Sequence, residues 1–172
     1  TSTLLPASAA SAAERLDPAV RAAMARSTSS VSLASAALAL TDWALHLAAS
    51  PGKRMDLVRL ALDQAEQLTR DAGASLGAVG GATESADAPV QPDRRFAAPE
   101  WQQWPFNLMH QSFLMTERWW AAATSDVWGV DPHHASQVAF AARQVLDMFS
   151  PGNQLATNPL ALQRTKDEGG RN

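Results

Sequence analysis

The sequence predicts an all-α fold, and two observations support that prediction. Apolar residues recur at helical spacing along most of the 172 residues, and no run of β-branched residues alternates with polar ones. Dipeptides and tripeptides that start or stop helices, namely Asp-Pro, Asn-Pro and Ser-Pro-Gly, separate the apolar patterns. We predict an N-terminal helical hairpin, a flexible linker, and a small irregular helical domain that opens with an extended segment rich in proline and tryptophan.

Composition divides the chain into three parts. Residues 1–72 are rich in alanine and leucine, whereas residues 73–92 hold four of the nine glycines. Residues 93–172 hold five of the six tryptophans and all five phenylalanines. A linker with the composition and length of residues 73–92 spans roughly 25 Å root-mean-square. We therefore expect residues 1–72 to move independently of residues 93–172.

The first part begins with two predicted helices. Asp17-Pro18 starts a short helix that ends near Arg26, and Ser29 or Ser30 caps the next one. Five apolar residues recur along the second helix as one stripe, which we expect to face the core. The stripe consists of Leu33, Ala37, Leu40, Ala44 and Leu47.

The third predicted helix completes the hairpin. Ser50-Pro51-Gly52 ends the second helix, and the third runs from about Lys53 to Asp71 with Gly73 as its C-cap. Its expected apolar face consists of Val58, Ala61, Leu62, Ala65 and Leu68. A short turn between two helices favours an antiparallel pair.

The third part opens irregularly, because Pro92, Pro99 and Pro105 lie too close together for a long helix. A helix is predicted from about Asn107 to Trp128, followed by one that starts at Asp131-Pro132 and stops before Ser150. Asn158-Pro159 begins a last short helix that ends near Gly169.

Charge and composition disfavour several classes of function. The formal net charge is −3, so there is no basic excess to attract nucleic acid. The chain has no cysteine, which removes disulfides, cysteine-ligated metals and a cysteine nucleophile. No nucleophile elbow, glycine-rich phosphate loop, dinucleotide fingerprint or zinc-protease motif is present. We assign no catalytic, cofactor-binding or metal-ligating residue, and we expect no cofactor.

A membrane-spanning helix is not predicted. The strongest candidate is the stretch Val31–Ala49, but Asp42 lies near its centre. An acidic side chain at that depth costs roughly 2.5–3.5 kcal/mol. The absence of cysteine is compatible with a cytoplasmic location. Because the chain begins with Thr1 rather than Met, we interpret it as a fragment or a processed product.

Histidines suggest two sites, each with a structural alternative. Adjacent His133 and His134 point about 100° apart on a helix, so a solvated first turn is favoured over a metal site. Asp42 and His46 lie four residues apart and could act as an acid–base pair. A polar contact that fixes how the helix meets its neighbours is favoured for this pair.

Aromatic residues concentrate between residues 101 and 128. Either large rings build the core, or they form an apolar contact surface for a partner. Their position beside an irregular, proline-rich segment favours the contact surface. The interface candidates are Trp101, Trp104, Phe106, Phe113, Trp119 and Trp120.

Several motifs resemble a known family. The opening residues include Phe96 and Pro99, and the later pattern is Ser150-Pro151-Gly152-Asn153 followed by Thr157-Asn158-Pro159. Together they resemble the N-terminal domain of polyhydroxyalkanoate synthases, over residues 93–168. A second stretch, with Thr41-Asp42-Trp43 and His46, resembles the helical segment that precedes this domain in many such synthases. At Gln103-Trp104-Pro105 the usual asparagine before proline is missing.

The resemblance implies a parent enzyme that polymerises (R)-3-hydroxyacyl groups from coenzyme A thioesters into storage polyester. In that family the catalytic residues belong to a C-terminal α/β-hydrolase domain, so none transfers to this chain. The implied role is a non-catalytic module that supports activity, dimerisation and attachment to polyester granules. Its implied partners are the hydrolase domain, a second subunit and the granule surface. The alternative is a free-standing helical protein of the granule surface or a scaffold without catalysis.

Overall fold

The computed structural model describes residues 32–77 and 93–170, and it confirms the all-α class over them. Five helices are present, with the following bounds: α1 (Leu33–Ala48), α2 (Pro51–Gly77), α3 (Phe106–Thr124), α4 (Pro132–Met148) and α5 (Pro159–Asp167). Short 3-10 turns occupy Arg94–Phe96, Pro99–Gln102 and Pro151–Asn153. The predicted helix over residues 17–26 and most of the predicted linker lie outside the described residues.

α1 and α2 form a corner and not the predicted antiparallel hairpin. The two helices are bent by 89° at a break between Ala48 and Pro51. The cause is tertiary, because α1 packs mainly on α4 whereas α2 packs mainly on α3. No single helix in the described ranges is long and apolar enough to cross a membrane, and α1 and α2 meet that criterion only as a bent pair.

α2 is longer than the sequence predicts. It continues through Gly73 to Gly77, so the expected C-cap at Gly73 is wrong. A glycine inside a helix costs only about 1 kcal/mol relative to alanine, and Ala72 and Ala74 flank this one. The last turns of α2 also gain a contact, since Asn107 Nδ2 of α3 donates to Ser75 Oγ at 3.0 Å.

The described part of residues 1–72 is docked onto the third part, contrary to the expected independence. Gln64 Nε2 of α2 donates to the Met115 carbonyl of α3 at 3.1 Å, and Ser35 of α1 bonds to Gln137 of α4. Neither contact could be read from composition, because each joins positions more than fifty residues apart. The corner and the later helices thus form one packed body.

The predicted apolar faces of α1 and α2 point outward. Leu33 and Leu40 are 59% and 48% exposed, whereas Ala39, off the stripe, is buried. On α2, Leu57 is buried while Val58 and Leu62 are exposed. The expected inward stripe is therefore wrong for most of its length, because polar side chains and Trp43 face the body and find specific partners there.

The later helices begin where the sequence predicts. The Asp131 carboxylate accepts from the backbone N–H groups of His133 and His134, and the Asn158 side chain caps α5 in the same way. α3 ends at Thr124, four residues before the predicted Trp128. The chain reverses beyond it, with positive φ values at Asp126 and Gly129.

Candidate interaction surface

Half of the candidate interface aromatics fill or line the core. Trp101 is 1% exposed and meets Phe96 edge to face, with ring centroids 4.8 Å apart. Phe113 is buried beside them, and Phe106 packs against the same cluster. Trp101 and Phe113 therefore cannot offer free surface to a partner in this conformation. Burial of the rings follows from the two 3-10 turns, which fold the proline-rich segment back over α3.

An ion-pair network covers this core, and sequence reasoning missed it. Arg95 donates from Nη1 and Nη2 to both carboxylate oxygens of Glu117, at 2.9 and 2.7 Å, and it also bonds to Asp93. Its guanidinium lies 5.4 Å from the Phe96 ring centroid and 5.6 Å from that of Phe113. Glu117 and then Asp93 raise the pKa of Arg95, and the Arg95 hydrogen bond lowers the pKa of Asp93.

His110 belongs to the same core. Its ring stacks on Phe96 with centroids 5.5 Å apart, and its Nδ1 lies 3.1 Å from the Phe106 carbonyl. Burial lowers the pKa of His110, which favours the neutral imidazole. A neutral, hydrogen-bonded ring suits a structural role in the core.

Trp43, Trp119 and Trp120 form an internal junction. Trp119 Nε1 of α3 donates to the Leu57 carbonyl of α2 at 3.1 Å, and Trp43 Nε1 of α1 donates to the Ala123 carbonyl of α3 at 2.9 Å. Trp120 lies between the other two rings, at centroid distances of 6.2 Å from Trp43 and 5.5 Å from Trp119. The interface served by these half-buried rings lies within the chain, between the corner and α3.

Asp42 joins α1 to the start of α4. Its Oδ2 accepts from His134 Nδ1 at 2.7 Å and from the Asp131 backbone N–H at 3.1 Å, while Oδ1 lies 3.0 Å from His46 Nδ1. The His134 hydrogen bond and then the Asp131 N–H lower the pKa of Asp42. The geometry favours the polar-contact interpretation of the Asp42–His46 pair, and His134 is a partner that sequence spacing alone did not indicate.

Gly129 allows the His46 ring to lie close to the chain segment between α3 and α4. It has φ of +90°, and a Cβ placed on it would lie 2.9 Å from His46 Nε2. Only glycine combines that backbone conformation with so close an approach. In the described ranges, no group of three histidine or acidic side chains is arranged to hold a metal ion.

The Ser-Pro-Gly-Asn and Thr-Asn-Pro motifs build one capped turn between α4 and α5. Asn153 Nδ2 donates to the Asp147 carbonyl, Thr157 Oγ1 to the Pro151 carbonyl, and Asn158 Nδ2 to the Gly152 carbonyl. Ser150 and Pro159 are buried. These side chains satisfy backbone groups, so the spacing of the motifs is a structural requirement of the turn.

Three apolar surfaces remain open on the described body, and one of them is the outward side of α2, where Met55, Val58 and Leu62 are 58–64% exposed. We call the outward side of the first helix the α1 face, and it comprises Leu33, Leu38, Leu40 and Leu45, all 48–65% exposed. We call the third surface the α4 end, and it comprises Val145, Met148, Phe149 and Leu155, all 49–67% exposed. Trp104 and Trp128 are also exposed, at 60% and 87%. Of the six interface candidates, Trp104 alone is mostly exposed.

The described residues form an all-α body in which Trp43 and other side chains join two segments of the sequence. Two family models match those segments, described as "Poly-beta-hydroxybutyrate polymerase (PhaC) N-terminus" over residues 92–172 and "Poly-beta-hydroxybutyrate polymerase N terminal" over residues 11–53. The chain carries the N-terminal region of the polyhydroxyalkanoate polymerase family.

Curated relatives agree with this assignment. The chain is similar to a poly(3-hydroxyalkanoate) polymerase of Methylorubrum extorquens, with 38% identity over 94 residues, which is 54% of this chain and 16% of the relative. It is 33% identical over 81 residues to poly(3-hydroxyalkanoate) polymerase subunit PhaC of Rhizobium meliloti, covering 46% of this chain and 13% of the relative. The chain thus spans a small share of these relatives. No solved structure matches it significantly.

Proposed function

We propose that this chain is the non-catalytic N-terminal module of a polyhydroxyalkanoate synthase and that it supports polymerisation by docking against the catalytic domain. The proposal rests on one observation, which is that the two family-matched segments pack into one body through the bond from Trp43 to the Ala123 carbonyl and the bond from His134 to Asp42. A preassembled body of this kind presents a fixed surface to a partner and loses little conformational freedom on binding.

The α4 end is the proposed contact with the catalytic domain. Met148 and Phe149 are exposed by about two thirds, and Asp147 and Arg143 flank them with charge. An apolar centre with a charged rim is the usual composition of a protein–protein interface. Dimer support and attachment to cytoplasmic polyester granules belong to the same proposal.

The test is reconstitution with the catalytic domain of the parent synthase, produced separately. We expect the module to raise the rate of coenzyme A release from (R)-3-hydroxybutyryl-coenzyme A. The pair M148D and F149D, carried together, removes the apolar centre and should abolish that stimulation. Met55→Asp, at a site on α2 that is also more than half exposed, is the control and should leave the stimulation intact. Equal rates with and without the module would contradict the proposal.

The competing function is a free-standing protein of the granule surface. The parent reading frame distinguishes the two, because a synthase requires an in-frame hydrolase domain and a stop codon after Asn172 would exclude one. Sedimentation with polyester granules tests the attachment role separately. A protein that stays in the supernatant would contradict that part of the proposal.

A further inference from the structure

The α1 face is apolar over its whole width. The exposed residues of α1 are leucines, alanines and Thr41, and they span roughly 160° around the helix axis. The two ionisable residues of α1, Asp42 and His46, are bound to each other at the junction with α4. Thr41 Oγ1 donates to the Ala37 carbonyl at 2.7 Å. Covering the α1 face therefore leaves neither a charge nor a hydroxyl without a partner.

This uniform chemistry favours an apolar phase over a folded protein as the occupant of the α1 face. A protein–protein interface carries about one hydrogen bond per 100–200 Å². The exposed arc of α1 has no charged border, unlike the α4 end, where Arg143 and Asp147 flank the apolar residues. An apolar phase needs no directional partner, because its attraction follows the apolar area that leaves water.

A basic hollow lies next to the C-terminal end of α1, on the outward side of α2. Arg54 Nη1 donates to the Ala48 carbonyl at 3.3 Å, which holds this guanidinium beside the α1 face. The hollow has a volume of about 420 Å³ and opens to solvent. We call it the arginine hollow, and it is lined by Pro51, Arg54, Met55, Val58 and Arg59. It combines apolar contact area with two positive charges.

Positive charge predominates around the arginine hollow. The first three turns of α2 contain Lys53, Arg54 and Arg59 against one acidic residue, Asp56. Asp56 Oδ1 lies 3.8 Å from Arg59 Nη1, and both side chains are more than 70% exposed, so this pair contributes little in water. The whole chain has a net charge of −3, so the basic character is local to this corner. An occupant that complements it carries negative charge beside apolar material.

We propose that the α1 face and the arginine hollow together bind the surface of an anionic phospholipid membrane. The leucines of the α1 face lie among the acyl chains at a depth of roughly 5–10 Å, with α1 parallel to the membrane plane. Arg54 and Arg59 contact lipid phosphates, which a guanidinium binds in a bidentate manner. A polyester surface offers the same apolar contact but no anion for the arginines. The inference goes beyond the proposed function, because the α4 end takes no part in it.

Sedimentation of the full chain with lipid vesicles tests the apolar part of the contact. Vesicles of phosphatidylglycerol and phosphatidylcholine in equal parts should bind the protein, and Leu45→Asp should weaken that binding at least about tenfold. Phe140→Asp, at an exposed apolar site on α4, adds the same charge elsewhere and should not change it. Circular dichroism checks that both variants fold. Absence of the protein from the vesicle pellet, or equal binding by the two variants, would overturn the proposal.

The basic part of the contact has its own test. Vesicles of pure phosphatidylcholine should bind the wild type at least about tenfold more weakly than the anionic vesicles. R54Q with R59Q should lower binding to anionic vesicles to a similar level, whereas R164Q with K166Q on α5 removes the same charge and should not. Equal binding to both kinds of vesicle would overturn the role of the arginines.

Two further outcomes would assign the α1 face to another occupant. Binding to polyester particles without binding to vesicles would overturn the phospholipid assignment while leaving stimulation of the catalytic domain unaffected. A dimer that Leu45→Asp dissociates, in a protein that does not bind vesicles, would identify a second copy as the occupant and would also overturn the proposal. Analytical ultracentrifugation without lipid measures the dimer.

Discussion

At the scale of single residues, tryptophans of the same region differ in how completely they are buried. Trp101 is 1% exposed in the aromatic core, whereas Trp128 is 87% exposed beyond α3. Trp101→Ala should lower the free energy of unfolding by about 3–5 kcal/mol, because it leaves a large cavity. Trp128→Ala should change it by less than about 0.5 kcal/mol. Urea unfolding followed by circular dichroism measures both, and similar losses for the two variants would contradict the assigned core.

Asp42 provides a pH-dependent test at the same scale. The His134 hydrogen bond lowers its pKa from the ordinary value of 3.8, so the unfolded chain binds this proton more readily than the folded protein. The stability from Asp42 is therefore present above the unfolded-state pKa and is lost as pH falls through the folded-state value.

Comparison of wild type with Asp42→Asn by urea unfolding at pH 5 and at pH 2.5 measures this effect. We expect the wild type to be more stable at pH 5 and the difference to shrink at the lower pH. Asp63→Asn, at an exposed position of α2, is the control and should not lower the free energy of unfolding to a comparable extent. A difference that persists at pH 2.5 would mean that the Asp42 carboxylate is not its source.

At the scale of elements, substitution by alanine should have opposite effects on stability at two glycines. Gly129→Ala adds a Cβ where φ is +90° and His46 is already in contact, so it should destabilise the junction of α1 and α4. Gly73→Ala lies within α2 with no atom near the new Cβ, so it should stabilise by about 0.5–1 kcal/mol. Thermal unfolding measures both, and stabilisation by both changes would argue against the close approach of His46.

The indole N–H groups of Trp43 and Trp119 attach different helices to α3, so removing each one should weaken a different attachment. Trp43→Phe removes the bond that α1 donates to the Ala123 carbonyl of α3, and Trp119→Phe removes the bond that α3 donates to the Leu57 carbonyl of α2. Each substitution should lower the free energy of unfolding by about 1 kcal/mol. Hydrogen exchange should increase mainly in α1 for the first variant and mainly in α2 for the second. The same exchange pattern in both variants would contradict separate attachments.

Local signals in the sequence correctly predicted where helices begin, but they did not predict which face of each helix packs against the rest of the protein. Asp131 and Asn158 cap their helices as expected, because a cap depends on residues within one turn. The outward direction of the apolar stripe on α1 could not be predicted, because we assumed that apolar residues face the core. The polar side of α1 faces the body instead, since Asp42 bonds to His134, 92 positions further along the chain. Gly73 was similarly misleading, since a contact from Asn107 supports the end of α2.

At the scale of the whole molecule, the predicted apolar contact surface is partly internal. The sequence correctly indicated both family segments, but it predicted that the tryptophan cluster faces a partner outside these residues. It could not show that Trp119 and Trp120 pack against α1 and α2 of the same chain. The composition of residues 73–92 predicts a flexible linker and carries no information about which elements on its two sides are in contact. Exposed apolar residues remain on α1, on α2 and at the α4 end, and sequence reasoning assigned no role to the α4 end that we propose as the contact with the catalytic domain.

Nuclear Overhauser effects from the tryptophan indole protons test the docking of α1 and α2 on α3 most directly. With only six tryptophans, each indole N–H resonance can be assigned from a Trp→Phe variant. The structure predicts cross-peaks from the Trp119 indole N–H to Leu57 protons and from the Trp43 indole N–H to Ala123 protons. Indole protons that show cross-peaks only within their own helices would contradict a single packed body.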